Sequence, residues 1–228
     1  MGPLTRGVMG LMVVHTLVWV VVQPLGPSAM SVLVMDPGGV WEGEVWRLVT
    51  HVFAVRDLGF LAFVLLALVF LAPEVERRLG RNRFLAMYLG SGLVASALLA
   101  VVGLVVRQPG VMAGPVASDL AIIAAFAFLS RGATVRLFFA LPVKAMHLLL
   151  VVVAFRLLGM WQEQAFLWPV ACEFAGIGVA WVLTRPNTRA WWADLDPVER
   201  YRNWRYRRRM TSLTVHPGGR RPPGDYLN

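Results

Sequence analysis

Six apolar runs divide the chain, each bounded by a short polar or glycine-containing segment: residues 7–22, 49–72, 84–106, 116–129, 142–159 and 166–183. A helix rises 1.5 Å per residue, so about 20 apolar residues cross the roughly 30 Å of bilayer hydrocarbon. The pattern predicts six membrane-spanning helices. The fourth run is short for a crossing and the first is marginal. A short fourth helix is tolerable where it is central, surrounded by other helices and closed off by loops at membrane depth.

The connection between the first two runs, residues 23–48, is too apolar for a solvated linker. Residues 32–35 are Val-Leu-Val-Met; the turn signal Asp36-Pro37-Gly38-Gly39 follows, then Trp41 and Trp46 beside Arg47. Tryptophan at headgroup level anchors a segment in the interface. This predicts a folded, half-submerged first loop on the outer face. After Thr184 the pattern turns polar, with Trp191, Trp192 and Trp204 set among arginines, and residues 215–228 are rich in Pro and Gly. Interleaved Trp and Arg suit a membrane surface, and the last stretch reads as disordered. The expected organisation is a transmembrane domain over 1–184 and a basic cytoplasmic tail over 185–228.

Composition agrees with a bilayer as solvent. The chain is 57% hydrophobic and 15% charged, against about 45–50% and about 25% in soluble domains. The single Cys172 excludes an internal disulfide framework and a thiolate metal site. No run of His, Cys, Asp and Glu has metal-ligand spacing, so neither metal nor cofactor is expected. The first run ends at Gln23-Pro24 rather than at a small-x-small cleavage site, so it reads as a retained helix.

A net charge of +9 raises nucleic acid as a partner, but the distribution of charge points to topology instead. With the N-terminus inside, all but four of the 22 basic residues (Arg47, Arg56, Arg107 and Arg156) fall on the cytoplasmic side, ten of them in the tail. That is the positive-inside rule for six spans with both ends in the cytosol. The tail is expected to meet anionic lipid or an acidic cytosolic partner, and no nucleic acid. Arg makes up 21 of the 22 basic residues, which suggests a GC-rich bacterial genome and a cytoplasmic membrane.

Several local strings, in order, carry a resemblance to a known family. Glu44-Val45-Trp46-Arg47-Leu48-Val49-Thr50 looks like a Trp-Arg motif in a large first loop. The string from Glu76-Arg77-Arg78-Leu79-Gly80 to Ser91-Gly92 looks like the link from second to third helix. Leu141-Pro142-Val143-Lys144-Ala145 looks like the start of the fifth. Together they resemble the rhomboid superfamily of intramembrane serine proteases and their inactive relatives, over most of residues 7–183. The resemblance implies an all-α six-helix bundle with a large interfacial first loop. Small residues in the third run (Gly90, Ser91, Gly92, Ala95, Ser96, Ala97), and Gly176, Gly178 and Ala180 in the sixth, would let helix backbones approach closely.

An active rhomboid carries its nucleophilic Ser in a Gly-x-Ser-Gly string at the start of the fourth helix and its base His on the sixth. The pair is needed because a neutral hydroxyl is a poor nucleophile without a base. Aligning Gly114-Pro115 with the family's Gly-Pro places Val116 where Ser should be. On the sixth helix Glu173 takes the base position, or Cys172 with one residue of slippage. The oxyanion positions on the second helix fall on Phe60 and Val64, neither of which donates a hydrogen bond. A shifted register offers Ser118 as fallback nucleophile facing Glu173, but Asp119 then replaces the Gly that follows it. Ser118 otherwise reads as a helix-start residue whose hydroxyl meets a free backbone N–H.

Carboxylates at membrane depth face a wet cavity or a partner, so Asp119 and Glu173 could share a cleft, with Arg47 or His51 as partner. His15 and His147, isolated among apolar residues, read as packed or interfacial. The resemblance therefore implies a pseudoprotease, similar in principle to derlins and inactive rhomboids, that binds transmembrane segments of client proteins. Trp46, Arg47, Gly114, Asp119, Glu173 and Gly176 are its expected cleft and structural residues. Two alternatives stand beside it: an active protease centred on Ser118 and Glu173, and a structural subunit of a membrane complex.

Overall fold

The computed structural model describes residues 4–106, 110–130, 134–137, 141–162 and 167–185, together with Tyr201 and Arg205. By its contacts the chain divides into Met1–Thr188 and Arg189–Asn228. The expectations for the arginine-rich tail, including disorder over 215–228, lie outside the described residues.

The first apolar run forms α1 (Arg6–Leu25). Its opening N–H groups have no partner within the helix, and a side chain from far along the chain meets them. The Glu76 carboxylate accepts from Gly7 N at 3.0 Å and from Val8 N at 2.9 Å, and Thr5 Oγ1 donates to it as well. A carboxylate there also complements the positive end of the helix dipole. Gly7 makes room for it, because a Cβ at that position would lie 2.7 Å from Glu76 Oε2. Glu76→Ala is expected to lower stability by about 1–3 kcal/mol, since it orphans two buried donors. Thermal unfolding in mild detergent checks this; an unchanged midpoint would remove the cap from the account.

The first loop is folded, as its pattern predicts. It contains α2 (Pro27–Leu33), α3 (Pro37–Trp41) and α4 (Arg47–Thr50), followed by a single 3-10 turn, His51–Phe53. Asp36 caps α3 by accepting from Gly39 N at 3.1 Å. Arg47 stitches the loop together: it pairs with Glu44 and donates to the Ser31 and Val34 carbonyls. Trp41 and Trp46 are exposed, and the Trp41 indole donates to Ala100 O at 3.0 Å. Met35 and Met112 exchange two backbone hydrogen bonds of 2.9 Å, which ties this loop to the segment ahead of the fourth run.

The second run departs from expectation. It is not one continuous helix: the helical segment Arg47–Phe53 and α5 (Leu58–Phe70) meet at 92°. Asp57 causes the restart by capping α5, accepting from Phe60 N at 2.8 Å. Beyond a break at Leu71, α6 (Ala72–Leu79) carries Pro73 in its first turn, where the missing N–H does no harm. Next comes α7 (Arg81–Val105), whose buried face includes Phe84, Tyr88, Ser91, Gly92, Ala95 and Leu99, at helical spacing. Of the small residues expected there, Ala97 is exposed instead.

The fourth run forms α8 (Val116–Leu129), and residues 117–127 are all buried. It packs against α6, α7 and the helices that follow, so its shortness is compensated by a central position. A two-stranded antiparallel hairpin, β1 (Thr134–Leu137) and β2 (Leu141–Lys144), comes next. The fifth helix, α9 (Ala145–Gln162), therefore begins three residues after Pro142, the expected start. The sixth run gives α10 (Leu167–Glu173) and α11 (Ala175–Thr184), which continue one another through a turn at Phe174. Apart from the hairpin the described chain is a helical membrane bundle. Three helices (Arg6–Leu25, Arg81–Val105 and Leu167–Thr184) are long and apolar enough to cross a bilayer, and the bent pair makes a fourth; α8 and Met146–Leu158 of α9 are shorter.

Gly176 fixes how closely α11 meets α8. A Cβ there would lie 2.0 Å from Ala117 O and 2.8 Å from its carbonyl carbon. Ala180, one turn on, is fully buried. Gly178 has nothing within 4 Å, so it is not part of the thin face on which the sequence reading placed it.

Candidate functional site

The approach to α8 is built around Gly114. Its φ of 88° is in the left-handed region that side chains avoid. Its N–H donates to His51 O at 2.8 Å, and a Cβ would meet the Phe60 ring at 2.5 Å. Glycine lets the chain turn beneath that ring into the first turn of α8. Val116 and Asp119 then face a cavity of about 630 Å³ bounded by α5, α8, α9, α10 and the short segments before α5 and α8. Its walls are mostly apolar, with Phe60, Phe63, Leu120, Ile123, Phe155 and Val170 among them.

Five ionisable residues line the cavity: Arg56, Asp57, Asp119, Arg156 and Glu173. Asp57 is engaged as the α5 cap. Glu173, 3% exposed, is held in a two-pronged ion pair: Arg156 Nε lies 2.8 Å from Oε2 and Nη2 lies 2.9 Å from Oε1. The fork of the guanidinium matches both carboxylate oxygens. Asp119 is different. It is 4% exposed, its carboxyl makes no hydrogen bond or ion pair among the described residues, and Oδ1 is fully enclosed.

The residues singled out from sequence fall into three groups. Val116, Phe60, Asp119 and Glu173 line this one cavity. Val64 is fully buried on α5 and does not. Cys172 belongs to a core cluster with Met35, Leu99 and Met112, so Glu173, and not the slipped alternative, is the side chain that reaches the cavity. Trp46 and Arg47 build the first loop, and Gly176 sets the α8–α11 contact.

Two sequence readings are corrected. Ser118 neither caps a free N–H nor faces Glu173. Its hydroxyl is fully buried, donates to Tyr88 O on α7 at 2.6 Å, and lies on the side of α8 turned toward Gly92. The partner of Glu173 is Arg156, not Arg47 or His51. Arg47 is engaged within the first loop, and His51 Nδ1 lies 3.1 Å from Arg47 O. The sequence holds a signal for Arg156, a charge deep in the apolar fifth run, opposite the lone acid of the sixth. Of the other histidines, His15 is buried with Nε2 2.8 Å from the Tyr88 hydroxyl, and His147 is exposed.

Chemically, the cavity combines a mostly apolar lining with a few ionisable side chains. Among the described residues its lining includes no Ser, Thr, Cys, His or Lys. Beside Arg56 and the α5 cap Asp57, it offers one closed ion pair and one carboxyl without a partner among the described residues.

A family model described as "Rhomboid domain" matches residues 42–195. The chain is also similar to the "Putative rhomboid protease YdcA" of Bacillus subtilis (strain 168), 37% identical over 71 residues. That stretch is 31% of this chain and spans 33% of the relative.

Proposed function

Because the chain belongs to the rhomboid family, we propose that this integral membrane protein is a non-proteolytic member that binds transmembrane segments of other proteins. One observation carries the reading. The residues at the family's nucleophile and base positions line a common cavity, and they are Val116 and an ion-paired Glu173. Valine has no nucleophilic atom, and a carboxylate closed by a guanidinium is poorly placed to take a proton from a hydroxyl. Phe60, at an oxyanion position, offers no donor to a developing negative charge. The name of the Bacillus subtilis relative implies cleavage chemistry for that protein, and this site supplies no obvious parts for it.

A cavity between α5 and α9, backed by α8 and α10, suits a helix arriving sideways from the lipid. Six passages of the membrane, both termini in the cytosol of a bacterium, and a tail meeting anionic lipid or an acidic partner complete the reading. Purified protein is expected to remain unlabelled by a fluorophosphonate probe that reacts with an active rhomboid in parallel. Labelling that disappears in Ser118→Ala would overturn the proposal.

A further inference from the structure

We propose that the cavity selects transmembrane clients that carry a basic side chain, with Asp119 receiving the cationic head; this rests on the client-binding reading above. The first ground is charge balance. Arg56, Asp57, Asp119, Arg156 and Glu173 all line the cavity, two cations against three acids. Arg156 is closed on Glu173 and Asp57 is engaged as the α5 cap, so the acid left without a partner among the described residues is Asp119.

The second ground is the state of that carboxyl. A buried acid without a partner is unfavourable at membrane depth. A guest that supplied a cation would relieve this penalty at Asp119 and its own desolvation at the same time, so the gain is specific to a basic residue.

The third ground is shape. A lysine or arginine has an apolar stem ending in a charged head. The cavity offers both parts, since Phe60, Val116 and Phe155 share its lining with Asp119. About 630 Å³ exceeds what one such side chain fills, which leaves space for part of the helix that bears it.

The test uses the full chain in vesicles of phosphatidylcholine and phosphatidylglycerol, which carry no primary amine. Two fluorescent single-span Leu-Ala peptides are compared, identical except for one Lys or one Leu in the outer third, and binding is read by energy transfer. The Lys peptide is expected to bind roughly tenfold more tightly. Asp119→Asn, which keeps the volume and removes the charge, should erase that preference. Equal binding of the two peptides to the parent protein would overturn this inference and leave the client reading intact. A preference that survives Asp119→Asn would overturn it too, by placing the cation elsewhere. Failure of both peptides to bind would defeat the client reading and this inference together.

Discussion

Replacing Gly176 with alanine is expected to destabilise the membrane domain by about 3 kcal/mol or more and to leave little folded protein. The added carbon would stand 2.0 Å from Ala117 O and 3.3 Å from Ala117 Cα. Those are backbone atoms in the first turn of α8, with no rotamer that could move aside. Relief requires the two helices to separate, and α8 is buried over residues 117–127, so each neighbouring contact would loosen with it. Membrane helices associate largely through such packing, because lipid is no worse a solvent for leucine than a neighbouring helix is. Gly178→Ala is the internal control: it meets open space and should change stability by no more than about 0.5 kcal/mol. The readout is unfolding in mixed micelles followed by circular dichroism. Equal stability of the two variants would show that α11 does not approach α8 as closely as described.

The importance of Gly176 was legible in the sequence because small residues at helical spacing in an apolar run have few other uses. The same logic found the third helix, where Ser91, Gly92, Ala95 and Ser96 are buried, and the centrality of α8, where a short helix survives only if others surround it. The folded first loop was legible from Asp36-Pro37-Gly38-Gly39 and the tryptophans, since turn chemistry and interfacial anchoring are local properties. Helical periodicity sets Gly176 and Gly178, two positions apart, on nearly opposite faces of the helix, but it does not say which face meets α8. Which of them faces α8 depends on the rotation of α11, and that is set by its neighbours.

Long-range partners were the least legible. The restart of the second helix at Leu58 depends on one side chain, Asp57, capping against an apolar background that hides the break. Nothing near Glu76 in sequence shows that its carboxylate meets the opening of α1. Ser118 is illegible from sequence for a related reason. A serine near a helix start is more often a cap, but here α7 passes close enough for the Tyr88 carbonyl to take its hydroxyl. In each case the sequence presented a polar group that needed a partner, and only the packing decided which one it met.

The Arg156–Glu173 pair makes the second large prediction, and its three variants are not expected to behave alike. Arg156→Met leaves a carboxylate that is only 3% exposed without its cation. Breaking a buried pair from one side costs about 3–5 kcal/mol. Because Arg156 is itself 29% exposed, the pair is partly screened and about 2–4 kcal/mol is the better expectation. Glu173→Leu should be milder, about 1–2 kcal/mol, because the longer guanidinium can swing toward water in the cavity. The double variant removes both charges from an apolar wall and is expected to return to within about 1 kcal/mol of the parent. Unfolding of all four proteins gives the coupling energy directly. A large coupling means that the acid at the family's base position now fastens α10 to α9 through Arg156. Additive losses would mean that the two side chains stabilise the bundle independently, leaving Glu173 free to serve a ligand in the cavity instead.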